Sequence, residues 1–155
     1  MPCHAAMIDK PTIIKPDTKV EKALKELQKK HLDGAPVVDE NGVVVGIFSI
    51  SGVMQNLLPV SVAMSNGIQL DVTVRAAPGV AKRLKKVYPL PVSDLMERKF
   101  YAVYPQTPIW EGVNMLVTHG APIFVVENDE NKFIGILDFH TALAELQRLQ
   151  ESEAT

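Results

Sequence analysis

The chain repeats itself. Residues 7–16, MIDKPTIIKP, align without a gap on residues 96–105, MERKFYAVYP. Met7 stands opposite Met96, Lys10 opposite Lys99 and Pro16 opposite Pro105. Thr18 then meets Thr107, and Val20, Leu24 and Leu27 meet Ile109, Val113 and Leu116. After a slip of one residue, Val37-Val38-Asp39 meets Val125-Val126-Glu127, and the register returns at Gly46-Ile47 and Gly135-Ile136. A spacing of about ninety residues, in two copies, is longer than solenoid periods. It predicts two similar lobes facing each other.

Each copy reads as strand, helix, strand, strand, helix. Thr12–Lys15 is a short extended run closed by Pro16. Thr18 is a helix N-cap by type, and Glu21 three residues on completes a capping box. Val20, Ala23, Leu24, Leu27 and His31 form one stripe at helical spacing. Glu21–Lys25 and Glu26–Lys30 are ion pairs at i,i+4 on the other face. Ala35–Asp39 and Val43–Ser49 are β-branched runs around Glu40-Asn41-Gly42, a hairpin signature. Ser51–Leu58 closes the copy with a helix stopped before Pro59. In the second copy Thr107 caps, Pro108 takes the first helical position, and Ile109, Val113, Leu116 and Val117 face inward. Ile123–Val126 and Phe133–Leu137 are its hairpin strands. Thr141–Glu151 is its amphipathic last helix, with Leu143, Leu146 and Leu149 at helical spacing.

Between the copies Ile68, Leu70, Val72 and Val74 alternate with polar residues, which predicts a half-buried strand over 68–75. Ala77-Pro78-Gly79 breaks it. A short helix over 79–88 follows, with Val80, Leu84 and Val87 on one face and Lys82, Arg83, Lys85 and Lys86 around the rest. The expected organisation is a first repeat over 1–58, a linker over 59–88, a second repeat over 89–150 and a tail over 151–155.

Composition excludes several classes of function. The net charge is −2 over 155 residues, so no overall field calls for nucleic acid or a membrane surface. No apolar run nears the ~20 residues of a membrane-spanning helix, and Met1–Lys10 lacks the apolar core of a signal peptide. One cysteine, Cys3, permits no internal disulfide and suits a reducing cytoplasm. His4, His31, His119 and His140 form no i,i+3 or i,i+4 pair for a metal. There is no Walker loop, GxGxxG or GxSxG, and no nucleophile–base pair is visible, so no enzyme is expected. Lys82–Lys86 lacks the aromatic interleaving of single-strand binders and reads as a solvated helix face. Asp39 and Glu40 sit beside a turn and read as solvated carboxylates. Ser49, ending the run GIFS, is a hydroxyl at a helix N-terminus, where backbone N–H groups favour an anion.

The run APVVDENGVVVGIFS, followed by a helix and preceded by an amphipathic one, resembles the cystathionine-β-synthase (CBS) domain. So does VSDLMERKFYAVYPQTPIWEGVNML in the second copy. Two in tandem resemble a CBS pair, or Bateman module. The resemblance implies an α+β fold of two β-α-β-β-α units packed pseudo-symmetrically through their sheets. It also implies an adenine nucleotide or nucleoside in the clefts between units, with AMP, ADP, ATP, adenosine or S-adenosylmethionine as ligands. In the family the turn after the third strand runs from Gly through a Thr or Ser hydroxyl, for phosphate, to an Asp, for the ribose. Here Ser49 keeps the hydroxyl and Gly52 replaces the Asp. In the second copy Asp138 stands at the hydroxyl and Thr141 at the Asp. Position matching implies Thr12, Ile13, Ala35, Pro36 and Ser49 for one site. It implies Tyr101, Ala102, Ile123, Phe124, Asp138 and Thr141 for the other, with Tyr101 stacking on adenine or only lining the cleft. The first cleft suits a phosphate and the second an uncharged nucleoside. The expected protein is a regulatory module, homodimeric through its closing helices, that passes its ligand state to an effector protein. The alternative is a structural or dimerisation module with vestigial, ligand-free clefts.

Overall fold

A computed structural model of the chain describes residues 2–9, 11–58, 76–127 and 130–153. The fold is α+β and divides into two compact units. One gathers Met1–Ile13, Val38–Val44 and Lys99–Thr155; the other gathers Ile14–Val37 and Val45–Arg98.

In the second of these units α1 (Val20–Lys29) is followed by β1 (Gly34–Val38), β2 (Val44–Ser49), α2 (Ile50–Leu57) and α3 (Ala76–Val87). β1 and β2 pair, Ile14 bridges in parallel to Val37, and Glu97 bridges antiparallel to Ile47. Val20, Ala23 and Leu27 of α1, Val37 and Phe48 of the strands, Val53 of α2 and Val92 form one buried core. The turn between the strands, within Val38–Val44, belongs to the first-named unit. Gly42 has φ +82°, and Asp39 Oδ1 accepts the N–H groups of Asn41 at 2.8 Å and Val43 at 3.0 Å. The Asp39 carboxylate, expected to be solvated, is therefore half-buried and holds the turn.

The other unit holds β3 (Ala102–Val103), α4 (Ile109–His119), β4 (Ile123–Glu127), β5 (Lys132–Leu137) and α5 (Phe139–Glu153). β3 pairs in parallel with β4, and β4 antiparallel with β5. The register shifts between Val125 and Val126. Its core joins Cys3 and Ala6 to Val103, Ile109, Leu116, Ile123, Val125, Leu137 and Ala142.

The N-terminal segments are exchanged between the copies, with hydrogen bonds that mirror one another. Cys3 N donates to Thr107 O at 2.7 Å, and Val92 N to Thr18 O at 2.7 Å. His4 N donates to Pro105 O at 3.1 Å, and Ser93 N to Pro16 O at 3.0 Å. Each segment then crosses a strand glycine. Ile8 N donates to Ile136 O at 2.8 Å and Ile8 O accepts from Ile136 N at 3.1 Å, beside Gly135. Glu97 and Ile47 exchange two bonds of 2.8 Å beside Gly46. A Cβ on Gly135 would lie 2.6 Å from Ile8 O, and one on Gly46 would lie 2.7 Å from Glu97 O. Glycine is required at both positions because another backbone passes directly over them.

Several expectations need correction. Thr18 does not cap α1. The helix begins at Val20 after Lys19, with no side-chain cap, and its first N–H groups donate to other carbonyls. Val20 N reaches Leu90 O at 2.9 Å and Glu21 N reaches Tyr88 O at 3.1 Å. Thr107 likewise turns its hydroxyl to Tyr104 N, 3.0 Å away, and leaves α4 without a side-chain cap. His31 lies beyond α1 with φ +56° and is exposed. Val117 points outward, 73% exposed. Ala77-Pro78-Gly79 falls inside α3, where Pro78 sits in the first turn and has no intrahelical N–H bond to lose. The strand expected over 68–75 lies outside the described residues.

Candidate ligand-binding site

The sequence-predicted residues form two groups; in the first, Thr12 and Ile13 belong to one unit and Ala35, Pro36 and Ser49 to the other, whereas the second group lies within one unit. In the first group Ala35 and Pro36 lie on β1 and are buried, and Ile14 N donates to Pro36 O at 3.0 Å. Their side chains are spent on the core, so only main-chain atoms remain for a ligand. Thr12 is half-buried, and Ile13 is 45% exposed. Ser49 ends β2 and caps α2, its Oγ accepting from Gly52 N at 3.0 Å and lying 3.2 Å from Ser51 Oγ. Gly34 allows β1 to pass close beneath this turn, since a Cβ there would lie 3.2 Å from Ser49 Cβ. Ile50 N is held by Asp33 O at 2.9 Å. The turn thus presents the Ser49 and Ser51 hydroxyls and the positive end of the α2 dipole, with no carboxylate among Ser49, Ile50, Ser51 and Gly52, a setting that favours an anion.

In the second group Tyr101 O accepts from Phe124 N at 3.0 Å, and Ala102 pairs with Phe124. Ile123 is fully buried. Phe124 is 1% exposed, with its ring 5.4 Å from Phe100 and 6.1 Å from Phe133. Asp138 and Thr141 cap each other. Thr141 N donates to Asp138 Oδ1 at 2.8 Å, and Asp138 N donates to Thr141 Oγ1 at 3.2 Å. The carboxylate is engaged with the N-terminus of α5 and puts negative charge where a phosphate would otherwise sit. Thr141, in the position matched to the ribose carboxylate, is a neutral hydroxyl already committed to this cap.

Sequence reasoning missed one partner. His119 stacks on Tyr101, ring centroids 3.6 Å apart and planes 12° from parallel. Lys99 Nζ lies 5.7 Å from the Tyr101 centroid. One face of the tyrosine ring is therefore occupied by the imidazole, which fixes the ring before any base could meet it. The position of His119 at the end of α4 suggested only a favourable charge on the helix dipole. The stack pairs residues eighteen positions apart, beyond the reach of any local pattern.

Among the described residues no cluster of His, Cys, Asp and Glu could hold a metal ion. No described helix is long and apolar enough to cross a membrane.

A sequence model of the CBS domain matches the chain twice, at residues 4–59 and 92–148. The chain belongs to the CBS-domain family. It is 30% identical over 154 residues to the CBS domain-containing protein CBSX2, chloroplastic, of Arabidopsis thaliana, with 91% of this chain and 61% of that protein covered. It is 26% identical over 142 residues to an A-adding tRNA nucleotidyltransferase of Aquifex aeolicus, spanning 13% of that protein. The chain thus spans less than two thirds of either relative. Among solved structures, CBSX2 in complex with AMP aligns with a TM-score of 0.69 at 24% identity, covering 96% of this chain and 98% of that one. A CBS domain-containing protein from Bacillus anthracis aligns with a TM-score of 0.72 at 18% identity, covering 96% and 94%. These two likenesses establish the fold of a CBS pair.

Proposed function

We propose that this CBS pair is a regulatory module that binds an adenine nucleotide or nucleoside and reports its presence to an effector protein. The observation that carries the reading is the Ser49 turn, a hydroxyl-capped helix N-terminus with no acid in its first residues. That CBSX2, a relative at 30% identity, has been crystallised with AMP supports the choice of ligand. The Ser49 side takes a phosphate. The Asp138 side takes an uncharged nucleoside, because its carboxylate repels anions. Binding acts by favouring one arrangement of the chain over another, with no chemical step of its own. The module works as a homodimer in a reducing compartment, where its one cysteine stays a thiol.

A second reading, a structural module with ligand-free clefts, is favoured by Gly52 and Thr141, which replace both ribose carboxylates. Thermal melting with AMP, ADP, ATP, adenosine and S-adenosylmethionine separates the two. A ligand at ~100 times its Kd adds about 2.7 kcal/mol and raises the melting point by several degrees. An unmoved melting point with all five supports the structural reading.

A further inference from the structure

The net charge of −2 hides a division. The unit that contains α1, α2 and α3 holds twelve Lys and Arg against seven Asp and Glu, a net +5. The other unit holds four against eleven, a net −7. The excess of base is gathered on two helices. α3 carries Lys82, Arg83, Lys85 and Lys86 and no acid, and α1 carries Lys22, Lys25 and Lys29. Arg83 Nη1 donates to Leu57 O at 3.2 Å and ties α3 to α2, which has no charged residue. Lys82, Lys85 and Lys86 are exposed, and none forms an ion pair with a described residue.

These three helices line a cavity of about 220 Å³. Leu24 of α1, Ile50, Val53 and Leu57 of α2 and Leu84 of α3 make it apolar, and Met54, 59% exposed, stands at its mouth. A cavity of ~150 Å³ lined by such residues takes a benzene ring, so this one has room for a Leu or Phe side chain. Glu21, the only acid among the lining residues, is paired with Lys25 at 3.5 Å. Helical geometry sets lysines along both edges. On α1, Lys22, Lys25 and Lys29 follow at i, i+3 and i+7, in a row beside Glu21 and Gln28. On the opposite edge Tyr88, just past α3, lines the cavity, and Lys85 lies about 60° round the helix from it. Lys82 and Lys86 form the next row.

We propose that this α1–α2–α3 groove docks an acidic segment of the effector protein. The segment sets a Leu or Phe side chain in the cavity and Asp and Glu side chains against the lysines on either edge. The inference rests on the effector reading given above and names the surface and chemistry of that contact. Charge complementarity selects the occupant. A wholly apolar partner would cover the lysines and leave them unpaired, at a cost. A single-stranded nucleic acid needs exposed rings for its bases, and the described rings of this unit are Phe48, buried, and Tyr88, half-buried. A long polyanion or an anionic membrane would also feel the −7 of the other unit, which a short segment avoids.

The probe is a short fluorescein-labelled peptide in which Glu-Asp pairs flank a Leu and a Phe, titrated with the full chain and read by anisotropy. Beside it run the same peptide with Ser for Leu and Phe, a single-stranded oligonucleotide, and phosphatidylserine–phosphatidylcholine vesicles. The first peptide should bind saturably, at least about tenfold tighter than its Ser counterpart, since an apolar side chain is buried. Its affinity should fall as salt is raised from about 0.05 to about 0.5 M. Lys25→Glu and Lys85→Glu, one on each edge, should each weaken it at least about tenfold by setting like charges face to face. Met54→Glu, at the mouth, should do the same, and Lys132→Glu, in the other unit, should change nothing. Circular dichroism checks each fold, and exposed Lys85 decides if Met54→Glu unfolds. Four results overturn the inference: no saturable binding up to about 1 mM, equal binding of the Ser peptide, tighter binding of the oligonucleotide or vesicles, or affinity unmoved by both lysine reversals. Melting with AMP is measured on the same samples. A shift without peptide binding overturns the inference and leaves the nucleotide reading standing; peptide binding without a shift does the reverse.

Discussion

Replacing Gly135 with alanine tests the segment exchange at its tightest point. The new Cβ would stand 2.6 Å from Ile8 O and 2.9 Å from Met7 Sδ, where ordinary contact begins at 3.4 Å. The sulfur is at the end of a flexible side chain and can move. The carbonyl is backbone and must retreat by about 0.8 Å. It accepts from Ile136 N at 3.1 Å, so that retreat stretches the bond beyond hydrogen-bonding range. Losing one or both bonds of the Ile8–Ile136 bridge costs about 1 kcal/mol each, and the residual crowding costs about 1–3 kcal/mol. The expected loss is therefore about 2–5 kcal/mol, a large part of the ~5–15 kcal/mol that holds a domain together. In urea, with a slope of about 1–3 kcal/mol per molar, the midpoint falls by about 1–2 M. Gly79→Ala is the control, because Gly79 lies in α3 with nothing within 4 Å of its Cβ position. There alanine should stabilise by up to ~1 kcal/mol through helix propensity. If Gly135→Ala shifts the midpoint no more than Gly79→Ala does, the exchanged segment does not cross this strand as described.

Gly52→Asp restores a carboxylate one turn into α2, where the helix dipole favours it. If that carboxylate reaches the ribose, AMP affinity rises about ten- to hundredfold, read by calorimetric titration; unchanged affinity removes Gly52 from the site. Burial, with the Glu111 carboxylate adding to it, holds the Cys3 thiol above its ordinary value of 9.0. The stability it contributes is intact below the unfolded thiol's value and is lost as pH rises through the folded one. Urea midpoints should thus fall more steeply above about pH 9 for the wild type than for Cys3→Ala, and parallel curves would show no such linkage. Cys3 is also fully buried, so a thiol reagent should modify it only at the rate of unfolding, and prompt labelling of the native protein contradicts that placement. His119→Ala removes the ring stacked on Tyr101, worth about 0.5–1.5 kcal/mol. It should lower the melting point slightly and weaken adenosine more than AMP; an equal loss for both ligands separates the stack from the Asp138 side.

Elements were legible wherever a local pattern decides. The stripe Val20–Ala23–Leu27 became the buried face of α1, and Asn41-Gly42 became the turn between β1 and β2. The caps of α1 and α4 were not legible, although Thr18 and Glu21 form a good local signal. Carbonyls of Tyr88 and Leu90 satisfy the helix end instead, and no sequence window around Thr18 contains them. The exchange was hidden by the duplication itself. Met7 and Met96 match each other, as do Gly46 and Gly135, so a pattern that pairs methionine with glycine fits either partner. The outward turn of Val117 was equally hidden, because helical spacing assigns an apolar residue to a face without saying what covers that face. The ligand residues were legible as positions. Ser49 and Asp138 came out as caps whose chemistry differs, and the Tyr101–His119 stack appeared only in three dimensions.

The nucleotide reading is tested most directly by calorimetric titration of AMP into dialysed protein, followed by adenosine and GMP. The account predicts saturable binding of AMP and of adenosine, with GMP giving no more than its heat of dilution. Dilution heat alone for both adenine ligands up to about 5 mM, weaker than any useful affinity at ~−3 kcal/mol, would contradict it.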